Sequence, residues 1–219
     1  MGEAELNNTL IVIHSHIVNY GNAATPSLAE QVREEIETMW NEPRGQVTLR
    51  GQSYRLEFRI TASFQPEIEP LEIYQNTDPR INYFRIEEFA HGNISFVDGI
   101  GCNTGYFKLE NLYVGSTTAA HEYGHTIGLM HPEDIDIRNQ GIPGIMYPRG
   151  TLVDSQYQYN PQGIAGDSTN GGTMHPKYRK VLQADIDKLD IPRDLVDNGK
   201  AIIGEFTSVW HPDHATINL

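Results

Sequence analysis

The chain has 219 residues, enough for one domain with a sizeable core, and its 38% hydrophobic and 21% charged content is ordinary for a globular protein. With 16 basic against 29 acidic residues the formal charge is −13, which repels phosphate backbones and argues against nucleic acid as a partner. No apolar run approaches the roughly eighteen residues of a membrane span, and the single cysteine, Cys102, excludes an internal disulfide or a thiolate metal cluster within the chain.

The first residues, Met1-Gly2-Glu3-Ala4-Glu5, lack the basic and apolar regions of a signal peptide, and Leu6 stands where a myristoylation signal needs Ser or Thr. The expectation is a domain cut from a longer precursor, secreted or delivered with it. Sequons at Asn7 and Asn93 are read as chance occurrences. Residues 10–18, "LIVIHSHIV", predict a buried strand. Thr25-Pro26-Ser27 opens a helix in which Ser27 and Glu30 can form a capping box. Leu28, Val32, Ile36 and Met39 share one face of it, and Pro43 stops it. Residues 46–62 predict a hairpin turning at Gly51-Gln52, with Tyr54, Leu56, Phe58, Ile60 and Ala62 alternating along the second arm. Short strands are expected at 71–74, 94–98 and 105–114. A helix capped by Ser116 or Thr117 is expected over about 117–130, a last helix over 182–190, and an extra strand within 200–211. The order predicts an α/β sandwich with helices on one side of a twisted sheet. Residues 132–180, rich in Gly, Pro, Asp and Asn, predict long ordered loops.

The informative stretch is "AAHEYGHTIGLMHP", residues 119–132. On a helix His121 and His125 lie one turn apart on one face, a spacing that lets two imidazole nitrogens meet one zinc ion. Glu122 is displaced around the helix, within reach of a water on that ion but outside the ligand set. Zinc lowers the pKa of a bound water to about 7, and a nearby carboxylate can take its proton as it attacks a carbonyl. Gly128 can adopt the positive φ that ends a helix and turns the chain, bringing His131 back to the same point. Three nitrogens leave a fourth position open, which is the catalytic rather than the structural arrangement. Ala120, Tyr123, Ile127 and Met130 form the neighbouring stripe, expected to pack on the sheet.

His121-Glu122-Tyr123-Gly124-His125-Thr126-Ile127-Gly128-Leu129-Met130-His131 resembles the signature of the metzincin metalloproteases, and "GIMYPRG", 144–150, resembles the methionine turn of that family in the form found in matrix metalloproteinases. "LQADIDKL", 182–189, resembles the start of the matrix enzymes' last helix. The resemblance spans about 115–190. It implies a twisted, mostly parallel sheet with an antiparallel edge strand, an active-site helix and a C-terminal helix. It also implies one domain over 1–219, with an upper part of about 1–128 and a lower part of about 129–219. By the same resemblance His121, His125 and His131 hold Zn²⁺, Glu122 is catalytic, Met146 floors the site, and Tyr147 and Pro148 line the substrate pocket. Pro148 occupies the place where astacins and serralysins carry a tyrosine, so no tyrosine ligand is implied. No cysteine-switch segment is present. "GIMYPRGTLVDSQYQYNPQG" and "HPKYRKV" are also similar to metallopeptidase domains of bacterial Rhs-repeat toxins, which would imply an immunity or inhibitor protein as partner.

The expected function is a monomeric zinc endopeptidase acting on protein or peptide. The alternatives are a toxin module directed at one protein and a catalytically silent zinc-binding module. Several other residues carry weaker signals. His14 and His16 share a strand face and could hold a second metal, although a hydrogen-bonded role is favoured. Asp98, Asp134 and Asp136 could bind calcium, although a solvated acidic loop is favoured. Met174 competes with Met146 for the turn. Tyr157 or Tyr159 could donate to an oxyanion. Cys102 is read as a small buried hydrophobe. His91, His175, His211 and His214 are assigned no role. The strand nearest the cleft, within 94–107, should offer backbone groups to an extended peptide.

Overall fold

The computed structural model describes residues 1–89 and 94–212; His91, Asn93 and His214 lie outside them. Strand β2 (Leu10–Tyr20) is the centre of an eight-stranded sheet. Its Ile11, Ile13 and Ile17 point into the main core and are fully buried, as is Val12, whereas His14 and His16 on the opposite face are only partly buried. On one side β4 (Gln52–Phe64) runs parallel to β2 along its length. On the other, β5 (Ile81–Glu87) runs parallel to residues 16–20, and β7 (Thr104–Lys108) runs parallel to β5. The antiparallel strands β3 (Gln46–Leu49) and β6 (Phe96–Val97) close the two ends, giving the order β3-β4-β2-β5-β7-β6. Strand β1 (Gly2–Asn7) pairs antiparallel with the first half of β2 and carries β8 (Lys200–Ile203) on its far edge. The fold is mixed α/β, mostly parallel in its centre and antiparallel at its margins. No helix among the described residues is long and apolar enough to cross a membrane.

Helix α1 (Pro26–Asn41) buries Ala29, Val32, Ile36 and Trp40. Leu28 and Met39, placed on that face by the sequence, are only partly buried at its flank. Trp40 joins the helix to the sheet through Phe58, at 5.2 Å, and to the histidine helix through Tyr123, at 5.9 Å between ring centroids. The cap is Thr25, whose Oγ1 accepts the Leu28 amide at 3.1 Å, and not Ser27. Pro26 disfavours helical backbone in the residue before it, which leaves Thr25 extended in the capping position. Glu30 instead pairs with Arg33 on the exposed face. The hairpin turns on Arg50-Gly51, one residue earlier than the sequence suggested; both have positive φ, as a two-residue turn matching the strand twist requires.

Several expected elements are different or shorter, among them the strand expected at 94–98, which is only Phe96–Val97. Residues 70–74 form a helical turn, α2 (Pro70–Tyr74), where a strand was expected; Pro70 favours the first turn, and only Ile73 is buried. The strand expected over 105–114 ends at Lys108 and continues as a 3-10 turn over Leu109–Asn111. The last helix is one turn, α4 (Gln183–Ile186), after which the chain tightens into turn bonds from Lys188 to Asp185 and from Leu189 to Ile186; a second turn, α5 (Leu195–Asn198), follows Pro192. Of the strand expected within 200–211, Lys200–Ile203 pairs as a strand and Glu205 adds one isolated parallel bridge to Cys102.

Candidate metal centre and cleft

Helix α3 (Thr118–Thr126) carries His121, Glu122 and His125 and is buried along its whole length. It ends four residues before the sequence suggested. Gly128, at φ +95°, turns the chain out of the helix, and the Leu129 amide closes the turn on the Gly124 carbonyl at 3.0 Å. Met130 therefore leaves the stripe of Ala120, Tyr123 and Ile127 and is 69% exposed. The same turn delivers His131.

The Nε2 atom of His131 lies 3.0 Å from that of His121 and 3.1 Å from that of His125. Nδ1 of His121 is 2.6 Å from the Ile145 carbonyl, and Nδ1 of His125 is 2.7 Å from the Leu129 carbonyl. A carbonyl can only accept, so both Nδ1 atoms carry the proton and both Nε2 atoms present lone pairs inward. Burial is the first cause that pushes the imidazoles below their usual range: His121 well below, His125 to about 4, His131 less far. Neutral, oriented imidazoles are the form that ligates. Tetrahedral zinc with bonds of about 2.0–2.1 Å spaces its nitrogens about 3.3 Å apart, so this donor set fits such an ion with shifts of a few tenths of an ångström. Among the described residues it is the one group of three metal-capable side chains that converges.

Glu122 stands beside the cluster with 7% of its surface exposed. Burial pushes its carboxyl up to about 8, against the opposing pull of Arg179, the Val97 amide and Arg149. Below α3, Met146 is fully buried, and its thioether lies under Gly124. Met174 belongs to a separate cluster with Ile137 and Val153. Tyr147 packs its ring on that second cluster and is not among the residues lining the cleft, whereas Pro148 is. The cleft, about 480 Å³, is bounded by Ile94–Val97 at the sheet edge, by the three histidines and Glu122, and by Pro148, Arg149 and Arg179.

Three residues to which the sequence assigned no role hold this arrangement together. Glu35 of α1 accepts the Ala120 amide at 3.2 Å, doing for the start of α3 what Thr117, with φ 62° and no capping bond, does not do. Asp185 of α4 accepts the Leu182 amide at 2.9 Å and the Ile145 amide at 3.3 Å, fixing the chain just before Met146. Arg179 donates through Nε to Thr117 Oγ1 at 2.9 Å and through Nη1 to the Tyr147 carbonyl at 3.2 Å, tying the start of α3 to the methionine turn.

The other sequence candidates lie elsewhere. Both ring nitrogens of His16 are taken, by Thr61 at 2.8 Å and Ser63 at 2.9 Å, and His14 faces Glu5 at 3.6 Å, so this pair does not form a metal site. Asp98 accepts from Thr104 Oγ1 at 2.6 Å and sits 2.7 Å from His211 Nε2. Asp136 is engaged by Arg138, and Asp134 by the Asp136 amide, so these carboxylates do not converge on a calcium position. Tyr159 stacks on His175 at 4.4 Å and Tyr157 meets Tyr178 at 5.8 Å; neither lines the cleft. Cys102 is buried, with Sγ 2.9 Å from the Thr207 carbonyl.

No protein-family model matches the sequence, and no curated protein matches it. Among solved structures the chain is similar to the structure of myroilysin, at 17% identity and a TM-score of 0.31, over 64% of this chain and 60% of that one. It is also similar to the crystal structure of archaemetzincin (amzA) from Methanopyrus kandleri, at 10% identity and a TM-score of 0.38, over 85% and 95%. This chain thus spans 60% of the myroilysin chain. Superpositions this loose carry no weight for chemistry; the histidine cluster and the cleft do.

Proposed function

We propose that the protein is a zinc-dependent endopeptidase of the metzincin type. The observation that carries this reading is the convergence of three Nε2 lone pairs beside a buried carboxylate in an open cleft. His121, His125 and His131 would hold the ion, with the Ile145 and Leu129 carbonyls keeping the first two rings in the ligating tautomer. When bound, zinc supplies Lewis acidity toward a carbonyl oxygen and lowers the pKa of water. Glu122 accepts a proton from the attacking water on a carboxylate oxygen and passes it to the departing amine nitrogen. A buried carboxyl at the cleft wall beside the three histidines is placed for both transfers. The short β6 is a sheet end with β7 on one side only, and Ile94–Val97 face the cleft. An extended peptide can therefore add alongside as a further strand. Met146 supports α3 from beneath, and Pro148 walls the cleft beyond the histidines.

The test is digestion of denatured casein by the zinc-loaded chain, with and without chelator, beside two variants. Glu122→Ala keeps the metal and loses nearly all hydrolysis, whereas His125→Ala loses the metal. Undiminished turnover by Glu122→Ala contradicts the mechanism.

A further inference from the structure

Arg179 is a buried cation with an unspent donor. Its side chain sits in the cleft wall with the residue only 4% exposed, and Nε and Nη1 are committed to Thr117 and Tyr147. Among the described residues Nη2 has no hydrogen-bond partner, and no carboxylate forms an ion pair with this guanidinium. Burial pulls Arg179 down to about 10, so it stays charged at neutral pH. The carboxyls of Glu122 and Glu35 act on it through space without an ion-pair contact; a buried charge so incompletely compensated is expensive to keep, and its two hydrogen bonds hold it in place. Arg149 stands at the exposed rim of the same cleft, tethered by Nη2 to Asn111 Oδ1 at 2.9 Å. The chain as a whole carries a charge of −13. Yet the described residues lining this cleft include two arginines and one carboxylate, that of Glu122, amid apolar Ile94, Phe96 and Ile100.

We propose that the cleft selects a substrate carboxylate, with Arg179 as the residue that binds it and Arg149 drawing it in. The inference rests on the peptidase reading insofar as the carboxylate is carried by a peptide. A planar guanidinium held in an apolar wall is the geometry that distinguishes a carboxylate from an amide of the same shape. The carboxylate can belong to a Glu or Asp side chain or to the free C-terminus of the peptide.

The test measures binding without turnover, by fluorescence anisotropy of labelled peptides with the full, metal-free chain. One peptide pair differs only in a single Glu or Gln, and a second, otherwise neutral pair only in a C-terminal acid or amide. The expected result is binding at least about tenfold tighter for the carboxylate member of one pair. The Glu/Gln pair identifies a side chain as the source, and the acid/amide pair a terminus. Arg179→Gln abolishes the preference and Arg179→Lys keeps part of it. Arg149→Gln, which leaves the Thr117 and Tyr147 contacts intact, weakens it. Equal affinities within both pairs, or no binding by any peptide, would overturn the proposal. A carboxylate preference in a chain that hydrolyses nothing when zinc-loaded would defeat the peptidase reading alone. Hydrolysis of neutral peptides without a preference would defeat this inference alone.

Discussion

Gly124 of the histidine helix lies against Met146 so closely that there is no room for a Cβ. A methyl there would stand 3.1 Å from the Met146 methyl carbon and 3.2 Å from Trp40 Cζ2, and nearer still to the sulfur. The thioether can shift, but Trp40 is held by its bond to the Ala120 carbonyl at 3.0 Å. Gly124→Ala should therefore cost about 1–3 kcal/mol through overpacking, despite the better helix propensity of alanine. Urea unfolding of the metal-free chain measures it. An unchanged midpoint would mean that Met146 does not floor the helix.

Glu35 supplies a second prediction. Burial raises its carboxyl pKa, against the pull of the Ala120, Ala119 and Thr117 amides. A raised folded-state pKa means the folded chain holds this proton longer than the unfolded one. The associated stability is present below the ordinary carboxylate range and is lost as pH rises through the folded value. Glu35→Gln, which keeps an acceptor for Ala120 without the charge, should gain on the wild type as pH is raised from about 4 to 7. Glu35→Ala should lose about 1–3 kcal/mol at either end by leaving the amide unpaired. A difference between wild type and Glu35→Gln that is flat with pH would contradict the assignment.

The histidines predict the opposite slope for the metal-free chain. Burial lowers all three, His125 to about 4. As pH falls below 6.5 the unfolded chain binds protons that the folded site refuses. Stability is then lost down to the folded values, each group adding a slope of up to about 1.4 kcal/mol per pH unit. His125→Asn should flatten this acid limb in urea titrations between pH 6.5 and 4. An unchanged limb would show that His125 is not held neutral.

The parts of the site that were legible in the sequence are those set by local periodicity. His121 and His125 follow from the helical repeat, and His131 from the turn at Gly128. That residues 10–18 form a buried strand follows from the apolar residues on either side of His14-Ser15-His16, while the parallel pairing was implied only by the family resemblance. What escaped notice is non-local. Glu35 reaches Ala120 across 85 residues, Arg179 reaches Thr117 across 62, and Asp185 reaches Ile145 across 40. An isolated Glu, Arg or Asp reads as solvated surface until the fold closes over it. Several misread features are short ones, and at two of them one proline decides the outcome: Pro26 moved the cap to Thr25 and Pro70 made a helical turn.

Zinc should also stabilise the fold, because the site is assembled only in the folded chain. Free zinc at about a thousand times its dissociation constant is worth about 4 kcal/mol, visible as a raised melting temperature that His131→Ala does not show. An equal rise in the variant would place the ion elsewhere.

The most direct measurement is the zinc content of the full chain after exhaustive dialysis, for the wild type, Glu122→Gln and His131→Ala. The account predicts one ion per chain in the first two and a large loss in the third. A wild type that retains no stoichiometric zinc, or a His131→Ala variant that retains it undiminished, would contradict the claim that these three imidazoles share one metal.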